Sequence, residues 1–496
     1  MKITEKLTFV LIIFFGALLR FYFAVIHPVN SDAAWHLAIA ENIATLGHIP
    51  QADTFRHYTF LWHPPLFHLI AAQLYETTAN ALIMQLLSPI FGVMTLFITF
   101  VFIRYLFRTD IALLTTFFLA VIPLHLYFSV ISYVSTAITF LTTFCVFLYL
   151  RGISDGNQKM LVLSGLSFGL SILTKATGFA IVFILLIVFS LYYKKKKNAK
   201  VFSLLLTIII GFLVGTLWYV RPYLAYGNPF GPAAFLFGST SRRNILEIII
   251  TERSYLIFFN QPDRILAYFW VLSRNSSIVS FITPILLSLT FLYGLFELLR
   301  RRRDSDMVLI AIVFVFTAIV IVYLLDHMEI HGIRLSLPML PALSGIIAFG
   351  VLKLFFSEKT HIFYSWRIYL LTFLFSLICA SSTYAIYEKT YTVSSDIEIV
   401  GNACIWIDQY TLDSIKLLND GWRDDVEYLS KRYTIYSGTN ANFSRILNSA
   451  QIHNATYLLL QESFGLEKGT IELIDTSTQF NKVYESDFSI HIYCMK

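Results

Sequence analysis

Charge is what this chain has least of. Only 14% of its 496 residues are Asp, Glu, Lys or Arg, against roughly 25% in a soluble globular protein. A soluble fold of this length would lack the charged surface that keeps it in water. Cysteine is sparse as well: four residues exclude a disulfide scaffold, and their spacing matches no metal-ligand pattern. With only 22 Gly and 13 Pro the chain is neither collagen-like nor a Pro-rich linker. The 46 Phe and 28 Tyr exclude disorder. What the chain does have is apolar surface, with 57% hydrophobic residues and a mean hydropathy of +0.68. That composition describes a polytopic membrane protein. The net charge of +6 could suggest nucleic acid. The basic residues, however, fall in short clusters between apolar runs, and no basic, aromatic-laced surface forms.

A transmembrane helix needs about 20 mostly apolar residues. Eleven runs qualify, near 7–26, 82–103, 110–127, 133–150, 161–174, 177–193, 201–220, 279–299, 307–325, 335–356 and 368–388. The first run is followed by no small-residue cleavage site, so it reads as a retained helix rather than a signal peptide. Orientation follows from Lys/Arg bias. With Lys2 and Lys6 inside, five further clusters also fall inside: Arg104 with Arg108, Arg151 with Lys159, Lys194 to Lys200, Arg300 to Arg303, and Lys353 to Arg367. The expected location is a plasma or inner membrane with the N-terminus cytoplasmic.

Three polar pieces then face outward: loop 27–81, loop 221–278 and tail 389–496. The expected domains are a membrane domain over 1–388 and an extracytoplasmic domain over 389–496. In the tail, helix-like stretches (Asp396 to Trp406, Asp424 to Arg432, Phe443 to Ala450) alternate with strand-like ones (Tyr433 to Tyr436, Thr456 to Leu460, Ser489 to Tyr493). This predicts a small α/β domain. Cys404 and Cys494 both lie there, either bridged or as free thiols. Asn275, Asn442 and Asn454 each begin an Asn-x-Ser/Thr triplet.

The first outward loop opens SDAAWHLAIAENIATLG. Ser31 or Asp32 suits a helix N-cap and Gly47 a helix stop. Ala34, Leu37, Ala38, Ile43 and Leu46 predict an apolar side, hence a helix lying on the membrane surface. His36 falls one turn after Asp32 on the same face. Farther on, Pro64 and Pro65 interrupt any helix and hold His63 on a turn. Asp32, Asp53, His57 and His63 together place acids and bases at one membrane face.

The order of first span, Asp32, a helix ending at a glycine and then HPPLF (His63 to Phe67) resembles the GT-C superfamily of membrane glycosyltransferases. It resembles the protein O-mannosyltransferase and lipid A aminoarabinose transferase types within it. The chain departs from the pattern at Ala33, where a Glu is usual. Three further stretches carry the same resemblance: LTKATG (Leu173 to Gly178), LWYVRPYLAYGNPFGP (Leu217 to Pro232) and HGIRLSLPMLPAL (His331 to Leu343). The resemblance covers about residues 1–350. It implies a sugar donor carried on a polyprenyl or dolichyl phosphate. It also implies an acceptor that is a glycan, lipid or protein. With the apolar runs, the expected fold is a polytopic α-helical, GT-C-like membrane domain of about eleven helices, followed by the small extracytoplasmic α/β domain. Ten or twelve helices stay open, because the fifth run is short and 110–193 is crowded. Asp32 would be the catalytic base. Lys175, Arg221 and Arg334 would bind the donor phosphate, because cations hold phosphate and stabilise its departure. His36, Asp53, His63, Glu329 and His331 would bind substrate or support the site, with Asp326 beside Arg334. Arg20 is read as snorkelling to lipid headgroups. Some families of this superfamily use a divalent metal and others do not. No metal-ligand set is readable here, and the start of the fourth span, SYVSTAITF, has no acid where many members have one.

The rival class is a polytopic transporter or lipid flippase. A transporter places ionisable groups inside its spans, often in repeated halves. In this sequence the ionisable residues gather at span ends, and no internal repeat is visible.

Overall fold

All eleven apolar runs are helical in the computed structural model. It describes residues 1–29, 31–49, 64–193, 200–227, 278–327, 330–355, 364–412, 415–419, 426, 429–430, 433–436, 442–461, 466, 469–485 and 490–495. The helices are α1 (Ile3–Ile26), α2 (Ser31–Leu46), α3 (Leu66–Thr78), α4 (Ala81–Gln85), α5 (Leu87–Leu106), α6 (Thr109–Val121), α7 (Pro123–Val130), α8 (Val134–Asp155) and α9 (Gln158–Thr174). Then come α10 (Ile181–Tyr193), α11 (Val201–Gly215), α12 (Leu217–Tyr226), α13 (Ile278–Arg301), α14 (Asp304–His327), α15 (Leu340–Phe355) and α16 (Tyr364–Tyr410). Short 3-10 helices, Ala176–Ala180 and Ile330–Met339, lead into α10 and α15. Among the described residues five helices are long and apolar enough to cross a membrane, or seven if each of two bent pairs is one span. The protein is therefore a largely helical, multi-pass membrane protein. Eleven crossings remains the number read from the sequence.

Two compact units divide the chain. The first comprises Met1–Val25, Trp62–Phe67 and Gln85–Lys389; the second comprises Ile26–Leu61, His68–Met84 and Thr390–Lys496. At the centre of the first unit is the segment Arg334–Phe355, whose apolar window is 94% buried, against 22% for α1 at the rim. Leu11, Phe14 and Leu18 of α1 are exposed, as suits a lipid-facing helix. Helices α9 and α11 pack through glycines. Both carry a Gly-xxx-Gly spacing, Gly165 with Gly169 and Gly211 with Gly215. In lipid no hydrophobic drive pulls helices together, so close backbone approach must hold them. A Cβ on Gly165 would come within 2.8 Å of the Thr207 carbonyl, and one on Gly169 within 2.9 Å of the Gly211 carbonyl.

Arg20 corrects one sequence reading. It does not snorkel: it is completely buried. Its Nη1 donates to the carbonyls of Gly16 and Ala120 at 2.9 and 3.0 Å, and its Nη2 donates to the Leu119 carbonyl at 3.3 Å. Nη2 also donates to His125 Nδ1 at 2.7 Å. The Leu119 and Ala120 carbonyls come from the end of α6, where the chain bends by 58° into α7 at Pro123. A helix end leaves carbonyls without intrahelical partners, and Arg20 supplies the donors. The span interiors are thus not free of ionisable groups, as the sequence suggested, since Arg20 and His125 meet inside the bundle. A second buried arrangement ties α13 to α14. Arg301 Nε donates to Asp306 Oδ2 at 2.8 Å, its Nη2 pairs with Oδ1, and the Asp306 side chain is fully buried. The Arg301 guanidinium lies 4.6 Å from the Phe349 ring centroid and 5.6 Å from that of Phe107.

The second unit contains a five-stranded sheet: β1 (Lys416–Asn419), β2 (Tyr433–Tyr436), β3 (Tyr457–Gln461), β4 (Phe480–Glu485) and β5 (Ile490–Met495), in the order β2-β1-β3-β5-β4. β1 pairs parallel with β2 and β3, while β5 runs antiparallel to β3 and β4. Alternation along β3 sorts the core. Leu458 and Leu460 face α17 (Phe443–His453) and α18 (Thr470–Thr476) through Ile446, Ala450, Ile471 and Ile474. Leu459 faces the other side, with Val400, Ala403, Cys404 and Ile407 from the end of α16. Asn442 caps α17, its side chain accepting from the Arg445 N–H at 3.0 Å, and Asn454 ends it in the left-handed conformation. Cys404 and Cys494 are not joined by a disulfide.

Candidate functional site

Two of the predicted phosphate-binding cations converge on one aromatic ring. Helix α9 stops at Thr174, and Lys175 takes an extended conformation, with φ −160° and ψ 142°, before the 3-10 turn. Its ammonium nitrogen lies 5.6 Å from the centroid of Tyr133. Arg334, on the 3-10 helix Ile330–Met339, brings its guanidinium carbon 5.2 Å from the same centroid. The two residues lie far apart in sequence. They meet because the α9 turn and the 3-10 helix both border the start of α8. Each contact is a cation–π interaction with the negative face of the phenol ring.

Tyr133 is well fixed. It is 1% exposed and is the N-cap residue of α8. Its N–H donates to Ser88 Oγ at 2.8 Å, and the Ser88 hydroxyl donates to its carbonyl at 3.1 Å. Phe128 packs edge-on at 5.6 Å. The sequence reading passed over Tyr133 and noted only that its stretch lacks an acid. The available signal was an aromatic residue opening a span on the same side as the cationic turns. Arg221 is held elsewhere, 5.4 Å over Trp218 on its own helix α12.

Asp32 and His36 belong to the second unit. Ser31 and Asp32 are the first two residues of α2, which ends at Leu46 before Gly47 at φ +70°. The Asp32 side chain lies outside the described residues. The apolar side predicted for α2 is an underestimate. Ala33, Ala34, Leu37, Ala38, Ile39 and Ala40 are all buried, because apolar residues surround the helix rather than striping it. His36 is buried too, and its Nδ1 lies 2.8 Å from Nε2 of His68, which is also buried. Trp35 packs against both rings, at 5.0 and 6.2 Å. One imidazole of this pair must donate and the other accept, so the pair carries at most one positive charge. His68, just beyond HPPLF, was not singled out in the sequence. Farther along the same two helices the Tyr75 hydroxyl donates to Glu41 at 3.3 Å.

Asp53, His57, His63 and Glu329 lie outside the described residues, as do the side chains of Asp326 and His331. Among the described residues no group of three or more His, Cys, Asp or Glu could hold a metal ion.

The arrangement of helices decides the fold. ArnT from Cupriavidus metallidurans, bound to undecaprenyl phosphate, matches with a TM-score of 0.66 at 13% identity, over 98% of this chain and 97% of that one. The chain shares the fold of that protein. The archaeal oligosaccharyltransferase AglB from Archaeoglobus fulgidus, in complex with an inhibitory peptide and a dolichol-phosphate, matches with a TM-score of 0.62 at 14% identity, over 93% of this chain and 70% of that one. Another structure of the Archaeoglobus fulgidus oligosaccharyltransferase, with Zn and sulfate, matches with a TM-score of 0.63 at 15% identity, over 98% and 73%. In sequence, residues 62–219 match the family described as dolichyl-phosphate-mannose-protein mannosyltransferase. The matched segment contains Tyr133 and Lys175. No curated protein sequence matches the chain.

Proposed function

We propose that the chain is a membrane glycosyltransferase that moves a sugar from a polyprenyl- or dolichyl-phosphate carrier to an acceptor on the extracytoplasmic face. The acceptor is a glycan, a lipid or a protein. The observation that carries this reading is the pair Lys175 and Arg334 on Tyr133, inside a fold whose relatives were solved with dolichol-phosphate and undecaprenyl phosphate. An anion at headgroup depth needs cations, and a guanidinium pairs with phosphate through two parallel hydrogen bonds. Arg221, on helix α12, is the third cation of the proposal.

The reaction is a single inverting displacement. The acceptor oxygen attacks the anomeric carbon as the bond to the phosphate oxygen breaks, and the electron pair leaves on the lipid phosphate. Asp32 takes the acceptor's proton. Lys175, Arg221 and Arg334 stabilise the charge building on the leaving phosphate. His36, Asp53, His63, Glu329 and His331 support the substrates around this centre. The membrane domain, 1–388, faces its loops 27–81 and 221–278 outward together with the domain 389–496, and the N-terminus is cytoplasmic. The loops and the outer domain select the acceptor, since loops vary around a rigid site.

The test is transfer of labelled sugar from a panel of polyprenyl-phosphate sugars by purified protein, with native envelope lipids and proteins as acceptors. Incorporation that requires Asp32 and Arg334 supports the assignment. No incorporation from any donor by folded protein overturns it.

A further inference from the structure

We infer that the first turn of α8 is itself an anion site, which takes the phosphate group of a polyprenyl-phosphate ligand between Lys175 and Arg334. This rests on the transferase reading and adds residues that the sequence did not single out. Three independent features of one place support it. First, α8 is a 22-residue helix whose N-cap, Tyr133, provides no side-chain cap. The amides of Val134, Ser135 and Thr136 therefore open the helix without one, and a helix start left this way favours an anion. Second, the hydroxyls of Ser132 and Ser135, on either side of this opening, are completely buried and have no hydrogen-bond partner. A buried hydroxyl without a partner is costly, and a phosphate oxygen would accept from it. Third, both cations already rest on the ring of the N-cap residue. Positive charge is thus held against the side chain of the residue that opens the helix.

Tyr133 is the positioning residue of this site. Its ring carries the two cations, and its backbone is pinned on both sides by Ser88. The N-cap position is therefore set before any ligand arrives, and preorganised donors do not have to be ordered on binding. Tyr133 has φ −142° and ψ 142°, the extended backbone that a following proline tolerates. That conformation permits a selective test. Val134→Pro removes one first-turn N–H at the position where helices accept proline.

The experiment measures binding of undecaprenyl phosphate to the full-length protein in phosphatidylcholine nanodiscs. Undecaprenol and inorganic phosphate serve as controls, and phosphatidylglycerol as a competitor. Wild type should bind undecaprenyl phosphate in clear preference to undecaprenol. Val134→Pro and Ser135→Ala should each weaken binding about tenfold, the loss of one hydrogen bond to a charged group. Tyr133→Leu should weaken it by at least as much, while Tyr133→Phe, which keeps the ring, should stay within about threefold of wild type. The anion site is overturned if Lys175→Ala and Arg334→Ala weaken binding while Ser135→Ala, Val134→Pro and Tyr133→Leu do not; the cation reading then survives without it. It is also overturned if phosphatidylglycerol competes as well as undecaprenyl phosphate, which would make this a general headgroup site. If wild type binds undecaprenyl phosphate no better than undecaprenol, the transferase reading fails with it. Because Val134→Pro could disturb the helix, its thermal midpoint is measured alongside, and Ser135→Ala decides if the helix has melted.

Discussion

Arg20 and Arg334 belong to the same membrane unit and carry the same side chain, yet they are used in opposite ways. Arg20 is sealed in, and its guanidinium supplies the donors that the broken α6–α7 span lacks. Arg334 lies half-buried against a ring, beside a second cation and an open helix start. The first holds a bend in place, whereas the second gathers charge at one point. Neither role follows from residue type or from distance to the end of a span. What differs is the backbone around each: broken carbonyls at α6 in one case, uncapped amides at α8 in the other.

The sharpest way to test this contrast is to ask which changes cost activity and which cost stability. Asp32→Asn should show the largest effect, a loss of about 10²–10⁴ in transfer rate with an unchanged thermal midpoint, since it removes the proposed general base while keeping the side chain's size. Full activity in that variant would sink the proposed mechanism. Close behind comes Arg301→Ala, which leaves Asp306 buried without its partner and should destabilise by about 3–5 kcal/mol. Thermal unfolding in detergent reads this out. The double variant Arg301→Met with Asp306→Leu should recover most of that loss.

The comparison itself is read in the next pair. Arg20→Ala should cost about 2–4 kcal/mol of stability, while any protein that remains folded keeps its transfer rate per molecule. Arg334→Ala should do the reverse, lowering transfer by about 10²-fold at an unchanged midpoint. If both variants lose activity and stability together, the distinction drawn here is wrong. The smallest effect is expected in the outer sheet. Lys482 is pushed down by partial burial but pulled up further by its hydrogen bond to Asp475 and by the charges of Asp475 and Glu485, for a net rise. A raised lysine stabilises fully below its unfolded pKa, and that contribution fades as pH climbs through the folded value. The second unit should therefore lose a little stability above about pH 10.5, and Lys482→Met should flatten that slope in pH-dependent unfolding.

Much of the fold was legible because membrane helices announce themselves by hydropathy over a fixed length. Strands β2, β3 and β5 were legible too, because their short runs of aliphatic and aromatic residues stand out against polar neighbours. β1 has only four residues, and β4 is an edge strand whose Asn481, Lys482 and Val483 are exposed, so neither carries a clear apolar signal. The glycine contacts of α9 with α11 were present in the sequence as paired Gly-xxx-Gly spacings and went unread. Of the site, Lys175 and Arg334 were named from their motifs, but Tyr133 and His68 were not. A tyrosine at the head of an apolar run and a histidine past a proline turn look ordinary in one dimension.

The sequence by itself determined that this chain lives in a membrane, where its helices lie and that a mixed α/β piece follows them. Each of these depends on composition and periodicity within a short window. Tertiary structure alone decided that Lys175 and Arg334 share Tyr133, that His36 bonds His68, and that Arg20 is structural. Those facts join residues tens to hundreds of positions apart. Such pairings are set by how helices pack, and local pattern carries no record of them.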